Sequence, residues 1–551
     1  MTRRHHTVLA TILVVMCAYL VRLSMPEMQP NEEAFHAVRG KAAVVFGAWA
    51  DQAPQALGGL YSASAPPLTA WLVAAGITIA GPSDTAVRLP FVLVSALALF
   101  VLFFVAERLV SFRGAITAVL ALGTSLPWAV LARSALPDVV AVTMSLLALY
   151  ATLRYHDSNT PWSLGLYAVA LAGVLLSQPA VAVVCVLFIV PYIVDHLRTP
   201  SRLLWPLASV IAGTLLAMPW YGAMVGRYGD QFWLSFMLPF GLSFNGLNVK
   251  GLGLFATLWS VLTTHPLTIV AIVGVPFLLF KRSMLPAVSH RPAVMVLLWF
   301  AVVLVGASLF SFEPFRLALH ILPPSALVAV WLVERMRTQC DRRVQSITYA
   351  LVIASSILTM ASPAWLHAFS IAIGGTDVAA LFAAVALVLV AAAAPQRWAN
   401  AMAIRGSTAV VAIAIGVGAV RVGMTIMSGW TGAQAGGREV AANLIDIDVR
   451  QFAVLFHQQS ASDAFAGQLA WYMGRRMTGW MPGYGYKPVA LPADAPSVEV
   501  DALAYGRRYA YVVYHTVGAS ADAVSRVQTT LSMGYDVILD TGHYVLYRRR
   551  G

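Results

Sequence analysis

Charge is what this sequence has least of. Asp, Glu, Lys and Arg make up 11% of its 551 residues, against 59% hydrophobic. A soluble domain carries about 25% charged residues, so most of the chain falls outside that class. Cysteine is nearly absent as well. Of the three, Cys17 and Cys185 fall inside apolar runs and Cys340 in a basic loop, so no disulfide frames the fold. No internal repeat is visible, nor any low-complexity tract beyond Ala/Val-rich runs. The first apolar run is followed by "YLVRLSMPEM", which lacks the small-x-small pattern of a cleaved signal peptide, and is read as a retained anchor.

What is present in abundance is runs of roughly 18 or more apolar residues, each long enough to cross the hydrocarbon as a helix. They lie near 7–25, 87–108, 114–131, 138–155, 162–177, 179–196, 203–221, 256–280, 293–312, 318–336, 344–362, 377–394 and 407–427, thirteen in all. The cut at "SQPA" (177–180) is the weakest of them. With "MTRRHH" placed in the cytoplasm, about sixteen Lys and Arg collect on the cytoplasmic ends, in "ERLVSFR", "LRTPSR", "KRSMLPAVSHR", "ERMRTQCDRR" and similar stretches. The formal net charge of +12 is therefore topological and does not point to nucleic acid. An odd number of spans leaves the C-terminus outside.

The expected organisation is a membrane domain over 1–429 with a long outer loop at 26–86, then a water-soluble α/β domain over 430–551. In the outer loop, "EEAFHAVRGKAAVVFGAWA" and "PPLTAWLVAAGITIAG" read as helices, the second too short to cross. In the terminal domain, "QFAVLFH", "YAYVVYH" and "DVILDTGHYVLYRR" have strand character. "GREVAANLIDI", "SASDAFAGQLAWYMGRR" and "SADAVSRVQTTLSMG" have helical spacing. Alternation of the two favours a sheet covered by helices.

This topology puts the chain's scattered ionisable groups at one membrane surface. "NEEAFHAVRGK" holds Asn31, Glu32, Glu33, His36 and Arg39. Arg133 and Asp138 mark the next outer turn and Gln178 the one after. Arg227, Asp230 and Lys250 lie in a second outer loop, His265 begins the following helix, and Glu313, Arg316 and His320 lie at a further outer end. Ionisable groups near a membrane need a partner or a purpose. Bland roles exist for several: Glu32 and Glu33 suit the first turn of a helix, Asp138 after Pro137 suits a helix start, and Arg133, Arg316 and His265 suit interfacial anchoring. Glu32 and His36 would offer two metal ligands, too few to define a site, so a divalent metal stays open as a cofactor.

The order and side of these motifs resemble the GT-C glycosyltransferases that use polyprenyl-phosphate sugars, particularly the bacterial lipid A aminoarabinose transferases and protein mannosyltransferases. The matching stretches are "NEEAF", "APPLTAW", "VRLPFVL", "RSALPD", "PWYGAMVGRYGDQFW" (219–233), "HP" (265–266) and "FRLALHILPPSAL" (315–327). The resemblance implies a polytopic α-helical GT-C fold with about thirteen transmembrane helices and a small C-terminal α/β domain outside. It implies transfer of a sugar from a polyprenyl-phosphate donor to a lipid-linked or envelope acceptor, at the outer face of a bacterial inner membrane. Membrane lipids are the other expected partner.

By the same resemblance, Glu32, Glu33 and Asp138 are the catalytic candidates. Arg133, Arg316, His265, Asn31, Gln178, Lys250 and Arg227 are the substrate-binding ones. A base must take or hold the acceptor proton, and cations must stabilise the departing phosphate. The chain departs from the pattern at four positions. Asn31 stands where relatives carry Asp, Ser64-Ala65 where aminoarabinose transferases carry Glu-Lys, and Gln178 where many carry Lys. An amide accepts no proton at neutral pH, so a catalytically silent, glycolipid-binding relative is the alternative. A transporter or flippase would show paired halves and broken mid-membrane helices, and no such symmetry is seen.

Overall fold

The computed structural model describes residues 3–28, 33–54, 59–158, 160–196, 200–237, 265–280, 291–309, 320–361, 396–427, 436–447, 451–457, 468–469, 471–473, 485–491, 509–516 and 521–550. Its contacts separate two units, Met1–Val21 with Phe91–Ser428, and Arg22–Pro90 with Gly429–Gly551.

The first unit is helical throughout its described residues. Among the described residues, four helices are long and apolar enough to cross a membrane: Asp84–Ala106, Pro137–Ser158, Leu204–Tyr228 and Ala409–Met427. Shorter apolar helices accompany them, among them Pro161–Leu175 and Pro292–Gly306. Leu204–Tyr228 leaves Leu204, Trp205, Ile211, Leu215 and Met218 exposed, an apolar face that only a non-aqueous surrounding would cover without cost. The run 377–394 lies outside the described residues.

The run expected as one span over 114–131 is instead two helices, Phe112–Gly123 and Leu126–Ala132, bent by 69°. Pro127 explains the break. It has no N–H for the carbonyl of Gly123, four residues earlier, and its ring clashes there. The stranded Gly123 carbonyl accepts from Tyr19 Oη at 2.6 Å. At the other end of this pair, the Ser111 hydroxyl accepts from Gly114 N and closes the helix N-terminus. The weak cut at "SQPA" is present: Pro161–Leu175 ends, Pro179–Val181 forms a 3-10 turn, and Ala182–His196 follows.

In the second unit, Glu33–Phe46 and Leu68–Ala80 are the two helices expected of the outer loop. They pack closely because Gly40 faces the second helix, where a Cβ would lie 2.9 Å from the Ala70 carbonyl oxygen. Gly76 makes the same approach to the backbone at Ala86, the start of Asp84–Ala106. The residues after 429 form a five-stranded sheet, β1 (Gln451–His457), β2 (Gly485–Leu491), β3 (Tyr511–His515), β4 (Tyr535–Asp540) and β5 (Tyr544–Arg549). The order is β2-β1-β3-β5-β4, with β1 parallel to both neighbours and β5 antiparallel to both of its own. Leu455, Val512, Tyr514 and Tyr547 pack with Val527 and Leu531 of the helix Ala521–Ser532. Strand β2 has no counterpart in the sequence reading. It contains Pro488, which argues against a strand, and it is tolerated because β2 is an edge with one neighbour.

Candidate functional site

In the helical unit, the N-terminus of Pro137–Ser158 presents Asp138 in the first turn, fully buried. Opposite stands His320, equally buried, whose Nε2 lies 3.9 Å from Asp138 Oδ1 and 2.8 Å from Gln178 Oε1. With Nε2 as donor, the imidazole bonds the Gln178 amide oxygen and turns the same N–H edge towards Asp138. Asp138 and Gln178, forty residues apart in the chain, are thus brought together by a histidine that the sequence reading noticed but gave no role. The signal was there in its placement, one helix start after Arg316.

His265 sits in a different environment. Its Nδ1 accepts from Leu267 N at 3.2 Å and its Nε2 lies 3.3 Å from Thr124 Oγ1, which itself donates to Leu120 O. Both ring nitrogens are engaged, as in a neutral imidazole serving as a buried bracket between the bent helix pair and the start of Thr268–Phe280. Arg133, at the C-terminal end of Leu126–Ala132, donates through Nη1 to Tyr19 O and Val21 O. These carbonyls end the helix Arg3–Leu20, where unpaired oxygens and the helix dipole favour a cation. Arg227 is exposed and lies over the Tyr228 ring, 5.8 Å from its centroid.

The loop-and-sheet unit holds Glu33. Its carboxylate is fully buried and receives both Arg88 Nε (2.6 Å) and Nη2 (2.8 Å), a bidentate pair. Arg88 comes from the "VRLP" motif, and its remaining donors reach Leu23 O, Pro26 O and Glu27 O at 2.8–3.1 Å. Neither role was assigned from sequence. Arg39, buried as well, donates to Gln52 Oε1 (2.9 Å), Ala65 O (2.6 Å) and Pro66 O (3.3 Å), binding the first loop helix to the segment before the second. Burial lowers the pKa of Lys41 on the same helix. Asn31, Glu32, Lys250 and Arg316 lie outside the described residues. Among the described residues, no three His, Cys, Asp or Glu side chains gather as a metal site would need.

Residues 64–222 match the family described as dolichyl-phosphate-mannose-protein mannosyltransferase. The structure resembles ArnT from Cupriavidus metallidurans in the apo state, with a TM-score of 0.64 at 18% identity over 99% of this chain and 98% of that one. The same protein bound to undecaprenyl phosphate aligns over 98% of both chains, with a TM-score of 0.64 and 17% identity. The arabinosyltransferase EmbB from Mycobacterium smegmatis aligns with a TM-score of 0.51 and 17% identity, over 78% of this chain and 41% of EmbB. Comparison with curated protein sequences found no match. The fold is therefore the GT-C fold, and the mannosyltransferase family match lies within its helical part and the loop before it, over residues 64–222.

Proposed function

We propose that this chain moves a sugar from a polyprenyl phosphate to a lipid-linked or envelope acceptor, at the outer face of a bacterial cytoplasmic membrane. The observation that carries the reading is the alignment, over nearly the whole of both chains, with an ArnT structure holding undecaprenyl phosphate. In such a transfer, the bond from the anomeric carbon to the phosphate oxygen breaks and a bond to the acceptor oxygen forms. The acceptor proton leaves to a base, and the polyprenyl phosphate departs as an anion needing a cation.

Asp138 is the base or acceptor-orienting group in this reading, with His320 holding its surroundings. Glu32 is the acid candidate of the outer loop, where Asn31 is an amide. Arg316 and Lys250 meet the phosphate; Arg133 and His265 shape the helices around it. The 1–429 membrane domain and the 430–551 domain outside follow the positive-inside distribution.

One observation favours a second reading, a silent relative that binds glycolipid. Glu33 is committed to Arg88, and its neighbour Asn31 is an amide. Purified chain in liposomes, offered polyprenyl-phosphate amino sugars, hexoses and pentoses with envelope lipids, separates the two. Release of free polyprenyl phosphate with a new glycolipid is the expected result. Donor bound but never consumed gives the silent relative.

A further inference from the structure

The second unit contains a polar joint that the transfer chemistry does not use. The helix Gly437–Asp446 starts at Gly436, whose φ of 115° is open to glycine, and no side chain of its own caps it. Its N-terminus is closed from elsewhere in the chain. Glu27 Oε2 accepts from Gly436 N (3.1 Å), Arg438 N (3.3 Å) and Gln468 Nε2 (3.0 Å). A carboxylate there satisfies two orphan N–H groups and meets the positive end of the helix dipole. Gln468 is itself fixed, donating to Met28 O (2.8 Å) and accepting from Tyr544 Oη of β5 (2.7 Å).

The joint also runs the other way. Arg438 Nη2 donates to Asp84 Oδ2 (2.9 Å) and Ser24 O (3.3 Å), and Trp471 Nε1 donates to Asp84 Oδ1 (2.8 Å). Tyr472 Oη accepts from Met28 N (2.7 Å). So an acid of the loop caps a domain helix, and a base of that helix returns to a second acid of the loop. The segment pinned between them, residues 23–28, is the one whose carbonyls Arg88 collects while it clamps Glu33.

We propose that the C-terminal domain is a positioning element for the acidic loop: Glu27, Asp84 and Arg438 form a two-way clamp that fixes residues 23–28 and, through Arg88, Glu33. Its use in catalysis rests on the transferase reading above; the clamp itself does not. Its components share burial and orientation that a tether alone would not require. Trp471 and Gln468 are fully buried, and Asp84 nearly so.

The test uses the full chain in nanodiscs, as Glu27→Gln, Arg438→Gln and Arg438→Lys. Amide hydrogen exchange is read by segment, and donor turnover is read in parallel. In Glu27→Gln and Arg438→Gln, residues 22–33 should exchange about 10-fold faster or more, while β1, β3 and β5 keep their protection. Donor kcat should fall with KM unchanged, and Arg438→Lys should recover part of both. Unchanged exchange over 22–33 overturns the proposal, as does loss of protection across the whole sheet, which would make the joint part of the domain's own folding. Faster loop exchange with kcat unaltered overturns the positioning role. If the unmutated chain turns over no donor, exchange alone decides the clamp, and the failure belongs to the transferase reading.

Discussion

Glu33 shows how a residue can satisfy a sequence argument and yet be engaged otherwise. It was a candidate acid because it sits beside Glu32 in an outer loop, and it is a buried carboxylate held bidentately by Arg88. Replacing one member of such a pair leaves the other charge buried without its counter-charge, which typically costs about 3–5 kcal/mol. Glu33→Gln should therefore lower the thermal stability of the purified chain by many degrees, and Glu32→Gln should not. Equal stability of the two variants, followed by detergent-phase thermal unfolding, would contradict a structural pairing for Glu33. The pairing was not legible because its partner is 55 residues away in sequence, and no local spacing rule links a loop carboxylate to the "VRLP" arginine. His320 escaped assignment for the same reason: its meaning lies in Gln178, 142 residues distant.

At the scale of elements, periodicity and composition carried far. The two outer-loop helices and strands β1, β3, β4 and β5 stand where their patterns put them, because each buries one face and local hydrophobic spacing records that. Two elements did not follow. The break in the run 114–131 was masked by continuous hydropathy, although Pro127 marks it, and β2 was masked by Pro488, which only an edge position excuses. Close helix approach was also invisible in sequence. Gly76 in the middle of a helix should be a weakness of about 0.5–1 kcal/mol relative to Ala. Here it is the reverse, since a Cβ would strike the Ala86 carbonyl oxygen, which belongs to backbone and cannot swing away. Gly76→Ala should destabilise the chain by about 1–3 kcal/mol despite its better helix propensity. A rise in melting temperature would show that the two helices are not in contact there.

For the whole molecule, the scarcity of charge, the asymmetry of the basic residues and the exposed apolar helix faces all describe one arrangement. In the arrangement proposed above, the N-terminus is cytoplasmic and the sheet domain lies outside. Fusing paired reporters after Gly551 checks this: one that works only in an oxidising exterior compartment should be active, and one that works only in the cytoplasm should be silent. The opposite pattern would invert every outer group and with it the proposed chemistry. The central claim is that Asp138, buried beside His320, serves a sugar transfer from a polyprenyl phosphate. The direct measurement is single-donor turnover by purified chain and its Asp138→Asn variant, with free polyprenyl phosphate quantified by mass spectrometry. The account predicts turnover by the unmutated chain and a loss of about 10²–10⁴-fold in the variant, with donor binding and thermal stability retained. Turnover in Asp138→Asn equal to that of the unmutated chain would contradict it.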